Sequence, residues 1–212
     1  MTALRAATLH PILHDGLPCG LLQVGDRADM VIVARDGQLI TGREGVRVAC
    51  ADGRIEPDPS KDLGLLAVVN RYEPAPASMA LIRGFGLMRG AIASSVAHDG
   101  HNIVGVGADR VSLARAMDAV LQAKGGLAVA AADGAIEVLP LPIAGLMSDR
   151  PAEGVAAAYQ RLSASARALG SQLRAPFMTL GFMALLVIPS LKLGDRGLFD
   201  GERFEFVKPV VA

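Results

Sequence analysis

The sequence predicts an α+β fold, in which a short all-β module precedes an α/β domain with a mixed or antiparallel sheet and about two main helices. Short apolar segments separated by glycine-containing turns fill residues 20–56, which is typical of consecutive short strands. Asp-Gly pairs between apolar runs at 99–100 and 133–134 indicate hairpins. Two later segments, 109–123 and 148–169, have apolar residues at helical spacing.

The N-terminal part divides into a helix and a series of short strands. We expect residues 1–9 to be helical and residues 28–33 to form a strand. The polar stretch 56–62 contains two prolines and is the best candidate for a linker. We therefore predict a domain boundary there, with residues 1–60 as the first domain and 61–212 as the second.

The second domain is expected to begin with a strand at 65–70 and to contain a hairpin. Residues 127–131 and 135–139 are apolar runs that flank Asp133-Gly134, a pair that tolerates the positive φ angles of a tight turn. The apolar run 177–191 is interrupted by Thr, Gly and Pro and is too short to cross a bilayer. We expect a buried strand or helix there.

Two segments have the signals that begin and end a helix. Asp109 is the expected N-cap of 109–123, and Pro151 lies in the first turn of 148–169, where proline is tolerated. A glycine shortly after each segment favours an end there. The apolar side chains at helical spacing are interpreted as core residues: Val111, Ala114, Met117, Leu121, Val155, Tyr159, Leu162, Ala166 and Leu169.

One short run holds an unusual share of the chemically active side chains. Residues 89–102 contain two of the four histidines, together with two serines, an aspartate and an asparagine. A two-residue turn at Asp99-Gly100 would place His98 and His101 opposite each other, with Cβ atoms about 5 Å apart. Two imidazoles that close can share a metal, a phosphate or a substrate, or simply stack at the end of a strand.

The composition argues against several classes of partner. The 21 Lys and Arg residues balance 21 Asp and Glu residues, which argues against nucleic acid and against an anionic membrane surface. The two cysteines lack metal-ligand spacing and no signal peptide is present, so we expect a cytoplasmic protein. The mean hydropathy of +0.39 is high for so few aromatic residues, and indicates a large apolar interface.

Three long phrases resemble one known family. They are RGFGLMRGAIASSVAHDGHNIVGVG (83–107), GGLAVAAADGAIEVLPLPIAGLMSDRPAEGVA (125–156) and PFMTLGFMALLVIPSLKLGDRGLFDGERFEFV (176–207). All three are similar to the C-terminal domain of adenine deaminases in the amidohydrolase superfamily, and the match covers most of residues 63–207 in order. A departure lies at Gly100, where the family is expected to have serine.

Residues 4–33 resemble the segment that follows the metal-binding barrel in many amidohydrolases and enters a small β-sandwich. The residues that fit this passage are Gly20, Leu22, Gly25, Ala28, Asp29 and Val31. The barrel itself is not expected, because the chain has no His-x-His pair and eight βα units take about 250 residues. The resemblance implies a divalent metal, Mn or Fe, in that barrel, so we expect this chain alone to bind no cofactor.

Other patterns are weaker. His10 and His14 have the i,i+4 spacing of a helical metal pair, but a proline lies between them, so we interpret both as surface residues. Residues 105–107 could hold a phosphate before a helix, but the third glycine of a dinucleotide fingerprint is missing. Asp149 and Asp195 are most simply turn and cap residues, although both lie in family phrases and could be near a site.

The resemblance implies a function for the run at 89–102. The catalytic candidates are His98, Asp99 and His101, and the substrate-binding candidates are Ser94, Ser95 and Asn102. The implied reaction is the hydrolytic deamination of adenine to hypoxanthine and ammonia. Because the metal ligands are missing, we expect the chain to be inactive alone and to act as a homo-oligomer or with a separate barrel. The alternative is a non-catalytic structural or interaction module that docks to a barrel protein or self-associates.

Overall fold

A computed structural model of the chain describes residues 17–18, 27–51 and 54–208. The α+β class is confirmed, since this part of the chain contains three α-helices, an eight-stranded mixed sheet and two small antiparallel sheets. The predicted helix at 1–9 and the pair His10 and His14 lie outside the described residues. No helix of the described part is long and apolar enough to cross a membrane.

The elements follow one another in a largely β order. The strands are β1 (Leu17–Pro18), β2 (Arg27–Val33), β3 (Gly42–Arg47), β4 (Ala49–Ala51), β5 (Arg54–Glu56), β6 (Gly64–Val69), β7 (Ser78–Arg83), β8 (Ala91–Ser94), β9 (Ile103–Gly107), β10 (Gly126–Ala130), β11 (Ile136–Pro140), β12 (Leu191–Gly194), β13 (Gly197–Asp200) and β14 (Glu205–Val207). The helices are α1 (Arg110–Gln122), α2 (Ala152–Ala168) and α3 (Pro176–Phe182). The strands predicted at 28–33 and 65–70 are confirmed to within one residue at each end.

The large sheet has the strand order β11-β10-β8-β9-β6-β7-β2-β3. Its neighbouring strands are antiparallel except β2 and β7, which run parallel with Ile32 opposite Ile82. The two small sheets have the orders β1-β5-β4 and β12-β13-β14. Strands β2 and β3 therefore share a sheet with strands beyond residue 61, and the division at 60/61 stays a prediction.

Side chains of the large sheet alternate between two apolar layers. On β6, Leu65 and Ala67 point into the layer that contains α1, while Leu66 and Val68 point into the layer that contains α2 and α3. Because successive strand residues face opposite sides, a strand covered by helices on both faces is apolar throughout. All of Leu65–Val69 is buried for this reason.

Helix α1 begins and ends where the sequence predicts. The Asp109 carboxylate accepts a hydrogen bond from the Ser112 main-chain N–H at 2.7 Å, and Gly125 has a φ of +119° after the helix end. Gly105 lies beneath the helix, where an added Cβ would be 2.9 Å from Leu113 and Met117 side-chain carbons. The glycines at 105–107 thus allow close packing of helix on strand.

Helix α2 begins later than predicted, at Ala152 rather than at residue 148. The Arg150 main-chain N–H donates to the Ser148 hydroxyl at 3.1 Å, which closes a turn before the helix. Pro151 then occupies the N-cap position, and Gly170 follows the helix with a φ of +117°. The apolar run 177–191 contains most of α3 and ends at the first residue of β12.

The two predicted hairpins differ in outcome. Strands β10 and β11 pair up to Ala130 opposite Ile136, so the hairpin around Asp133-Gly134 is confirmed. Strands β8 and β9 also pair, but their last paired residues are Ser94 and Val104. The predicted two-residue turn at Asp99-Gly100 is therefore wrong, and residues 95–102 form a longer connection.

The main chain of this connection bonds away from the opposite strand. The Ser95 N–H donates to the Gly126 carbonyl at 2.9 Å, and the His98 N–H donates to the Gly181 carbonyl at 3.1 Å. Neither group is then available to continue the ladder between β8 and β9. The hairpin therefore opens before the histidines, and the loop is held by β10 and α3 instead.

Candidate functional site

Several loops meet at one edge of the large sheet, where β6 and β8 end and β9 and β10 begin. We call this surface the loop rim and define it as residues 70–73, 95–102, 143–147 and 184–187, together with Asp195. Antiparallel pairing places these strand ends side by side, so loops distant in sequence become neighbours. The loop rim contains most of the predicted site residues.

His98 and His101 lie close together, as predicted, but for a different reason. Their ring centroids are 6.1 Å apart in an edge-to-face arrangement. The His98 ring also stacks on Phe182 of α3, with centroids 5.4 Å apart. Together with the hydrogen bond from its main chain to Gly181, this stacking fixes His98 against the helix. The pair is thus positioned by α3 and not by opposed strand residues.

His101 lies in surroundings that favour its uncharged form. Burial lowers the pKa of its imidazole, and the nearby His98 and Arg71 lower it further, while Asp99 acts in the opposite direction. Its Nδ1 atom is buried without a hydrogen-bond partner. At neutral pH an uncharged imidazole has one nitrogen that accepts a hydrogen bond or a proton. His101 therefore suits the role of an acceptor or base.

A cleft of about 220 Å³ opens beside His101. Its polar lining comes from Asp99, His101, Asn102 and Asp195. Its apolar and glycine lining is Val68, Ala97, Gly100, Ala184, Leu186, Val187 and Gly194. The cleft therefore brings three of the predicted site residues together with an aspartate from the turn between β12 and β13.

Ser94 and Ser95 do not line this cleft and are fully buried. The Val96 N–H donates to the Ser94 hydroxyl at 2.9 Å. The Ser95 hydroxyl donates to the Gly145 carbonyl at 2.5 Å and accepts from the Gly126 N–H at 2.8 Å. These bonds hold the loop in place, and the predicted role of the two serines in substrate binding stays a prediction.

Arg71 and Tyr72 connect the loops of the loop rim, and neither is among the site residues predicted from the sequence. The Arg71 main-chain N–H donates to the Asn102 side-chain oxygen at 3.3 Å, and its guanidinium donates to the Ala144 carbonyl at 2.7 Å. The Tyr72 hydroxyl donates to the Gly100 carbonyl at 3.1 Å. No local pattern marks these residues, since their partners are distant in sequence.

Asp195 is held at the cleft by hydrogen bonds from Asn70 and Ser78. The Asn70 amide donates to its carboxylate at 2.7 Å, and the Ser78 hydroxyl donates to its main-chain carbonyl at 2.9 Å. The predicted turn between two strands is present, because Asp195 follows β12 directly. In the sequence, Asp195 is marked as near a site only by its place in LKLGDRGL, which belongs to one of the three phrases that resemble the family.

Large apolar side chains of the loop rim are exposed, and one of them, Val187, also lines the polar cleft. Tyr72, Ile143, Met147 and Val187 are between 44% and 60% exposed. Such residues beside half-buried polar groups are typical of surfaces that bind another protein. The loop rim thus combines a small polar cleft with an apolar surround.

The residues of the loop rim do not fit the divalent metal centre of amidohydrolases. Among the described residues, no group of three or more His, Cys, Asp or Glu side chains could hold a metal ion. His98 and His101 alone would supply two imidazoles, and catalytic zinc sites take three protein ligands. The polar side chains of the cleft can donate and accept hydrogen bonds and exchange protons.

Comparison with known proteins identifies the family. The profile described as "Adenine deaminase C-terminal domain" matches residues 38–205. A protein of Salinibacter ruber named adenine deaminase is 46% identical over 96% of this chain, which covers 48% of that protein. The adenine deaminase of Methanosarcina acetivorans is 47% identical over 88% of this chain, which covers 34% of that protein. The chain spans about half or less of the length of these relatives, and it belongs to the adenine deaminase C-terminal domain family.

Proposed function

We propose that this chain supplies the C-terminal part of an adenine deaminase, which hydrolyses adenine to hypoxanthine and ammonia, and that it is inactive alone. The observation that carries the proposal is the cleft of the loop rim, where His101, Asn102 and Asp195 converge from two separate segments. The relatives named adenine deaminase support the reaction, and the chain matches only part of their length.

The size of the cleft supports a shared site. Complete small-molecule sites usually enclose about 300–1,000 Å³, and this cleft has about 220 Å³. The exposed apolar side chains around it would be covered by a second surface. On this proposal the loop rim closes one side of a site whose other walls, and whose metal, belong to a barrel.

Within such a site the residues of the loop rim would act on the purine directly. Uncharged His101 and the Asn102 amide are suited to hydrogen bonds with ring nitrogens, and Asp99 or Asp195 can accept from an amino group. His98 would hold His101 in place. We propose that the chain acts in the cytoplasm on a small-molecule substrate together with a protein partner. Its balanced charge argues against nucleic acid and against an anionic membrane surface.

The first experiment measures ammonia release from adenine by the pure chain with added Mn²⁺, Fe²⁺ or Zn²⁺. We expect none, and metal-dependent release by the pure chain would overturn the proposal that it is inactive alone.

The second experiment mixes the chain with the part of the Salinibacter ruber relative that this chain does not match. We expect turnover to appear, and to fall at least tenfold with His101→Asn. The control Arg203→Ala changes an exposed residue of a surface ion pair and should leave the rate unchanged.

The exposed apolar side chains favour a second candidate, a non-catalytic interaction module. Under this alternative, Tyr72, Ile143 and Met147 would bind a barrel protein or a second copy, and the polar cleft would have no chemical role. His98→Ala would then leave the rate of the mixture unchanged. Leu162→Ala, which removes a buried side chain of α2, would still destabilise the fold by about 3 kcal/mol.

A further inference from the structure

A second and larger groove lies at the opposite edge of the large sheet from the loop rim. Its volume is about 410 Å³, which falls within the range of about 300–1,000 Å³ usual for ligand sites. It lies between the turn that joins β10 to β11 and the C-terminal half of α2. The proposed deaminase function does not use it.

Three charged side chains line this groove, and each is oriented by one hydrogen bond. The Arg89 guanidinium donates to the Ala168 carbonyl at 2.8 Å. The Glu137 carboxylate accepts from the Ser165 hydroxyl at 2.7 Å. The Asp133 carboxylate accepts from the Ala135 N–H at 2.9 Å. Each group keeps further donors or acceptors free for a ligand.

The opposite charges in the groove are kept apart. Among the described residues, no ion pair joins Arg89 to Glu137 or Asp133. Arg89 precedes β8 and Glu137 lies on β11, and β10 runs between these two strands. Two strand spacings of about 4.8 Å separate the two backbones. A small molecule with both charges would fit between the two side chains.

The floor between the charges is apolar. Val129 and Leu169 are 3% and 5% exposed, and the remaining apolar lining is alanine. Small side chains leave the groove open instead of filling it. The aliphatic side chain of a ligand would therefore be buried on this floor, while its two charged groups face Arg89 on one side and the carboxylates on the other.

We propose that this groove binds a free α-amino acid with an aliphatic side chain. The carboxylate of the amino acid accepts hydrogen bonds from Arg89, and its ammonium group donates to Glu137 and Asp133. Its side chain packs on Val129 and Leu169. A ligand with only one of the two charges leaves the opposite side of the groove without a partner, so it binds more weakly.

The test uses the full chain labelled with ¹⁵N and three probes that share one branched aliphatic chain. L-Leucine has both charges, 4-methylpentanoate lacks the ammonium group and 3-methylbutylamine lacks the carboxylate. We expect saturable NMR shifts for amides at 131–137 with leucine, at a Kd at least tenfold below that of either other probe. Arg89→Ala and Glu137→Gln should each raise the Kd for leucine at least tenfold, while Arg203→Ala leaves it unchanged.

Three results would overturn the proposal: no saturable shift with leucine, equal affinity for all three probes, or an unchanged Kd in the groove variants. Asp133→Asn, which changes an exposed turn residue, is the second variant if Arg89→Ala does not fold. It should also weaken binding at least threefold. No adenine turnover enters these measurements, so failure here and failure of the proposed deaminase function are distinguishable.

Discussion

Two basic side chains lie in surroundings that favour their uncharged forms. His101 is one of them, and Lys192 on β12 is the other. The Lys192 side chain is fully buried, and its ammonium group donates to the main-chain carbonyls of Leu39 and Phe182. Burial lowers its pKa to about 8. Since Phe182 stacks on His98, Lys192 connects the residues near 39 to the loop rim.

We expect the His101 imidazole to titrate below the usual pKa of 6.5. Burial is the largest cause, and the nearby His98 and the positive charge of Arg71 add to it. Arg71→Gln should therefore raise the pKa without restoring it fully to 6.5. An NMR titration of the histidine ring protons measures both values. An equal His101 pKa in the two proteins would contradict an influence of Arg71.

We expect Lys192→Met to change how the stability of the fold depends on pH. The pKa of Lys192 is about 8 in the folded chain and 10.5 in the unfolded chain, so the unfolded chain binds more protons between these values. Between pH 8 and 10.5 the unfolding free energy of the original chain should therefore rise relative to that of Lys192→Met. The expected rise is on the order of 3 kcal/mol. Below pH 8 Lys192 is protonated in both the folded and the unfolded chain, so it adds no pH dependence there. Urea unfolding of both proteins at pH 7, 9 and 10.5 measures the difference, and a constant difference would refute it.

At the scale of elements, local signals predict α1, α2 and one hairpin, while a strand or a helix is expected where α3 lies. Asp109 at the beginning and a glycine after the end define α1, because capping depends on neighbouring residues only. The turn at Asp133-Gly134 follows from local backbone preferences in the same way. The loop at 95–102 could not be predicted, because its main chain bonds to Gly126 and Gly181, which no local pattern indicates.

The candidate site shows the same limit. The sequence predicts that His98 and His101 are close, but the turn expected to bring them together is absent and His98 is held by α3 instead. Arg71 and Asp195 approach them only because β6, β9 and β12 bring distant segments to one edge. A single sequence has no signal for that pairing of segments.

The cap of α1 can be tested by itself. Asp109→Ala removes the acceptor of the Ser112 N–H and should lower the unfolding free energy by about 1 kcal/mol. Asp149→Ala, at an exposed aspartate outside any helix, is the matched control and should change it by less than about 0.5 kcal/mol. Denaturant unfolding measures both variants. Equal values for the two would mean that the cap does not contribute.

At the scale of the whole molecule, residues 36–43 form hydrogen bonds and an ion pair with residues 179–200. The Gly37 N–H donates to the Thr179 hydroxyl at 3.1 Å, and the Thr41 hydroxyl donates to the Leu191 carbonyl at 2.7 Å. Arg43 forms an ion pair with the fully buried Asp200 at 2.9 Å. These contacts connect β3 and the residues before it to α3 and to the small sheet formed by β12, β13 and β14.

We therefore expect the described chain to unfold in one transition. Arg43→Met leaves the buried Asp200 carboxylate without its cation and should lower the unfolding free energy by about 2 kcal/mol. The main-chain amides at 42–47 and at 64–69 should lose protection from hydrogen exchange by the same amount in this variant. Loss of protection at 42–47 well before 64–69 would instead support a separate N-terminal domain.

The contact between Thr41 and Leu191 also has a consequence for biosynthesis. The two residues are 150 positions apart, so the ribosome completes Thr41 long before the β12 residue that it bonds to exists. Contacts of such long sequence range slow folding, because a large loop must close before they form. The apolar face of β2 that packs with Leu191 therefore stays uncovered until β12 is made. Chaperone binding to the nascent chain should be strongest before residue 191 emerges.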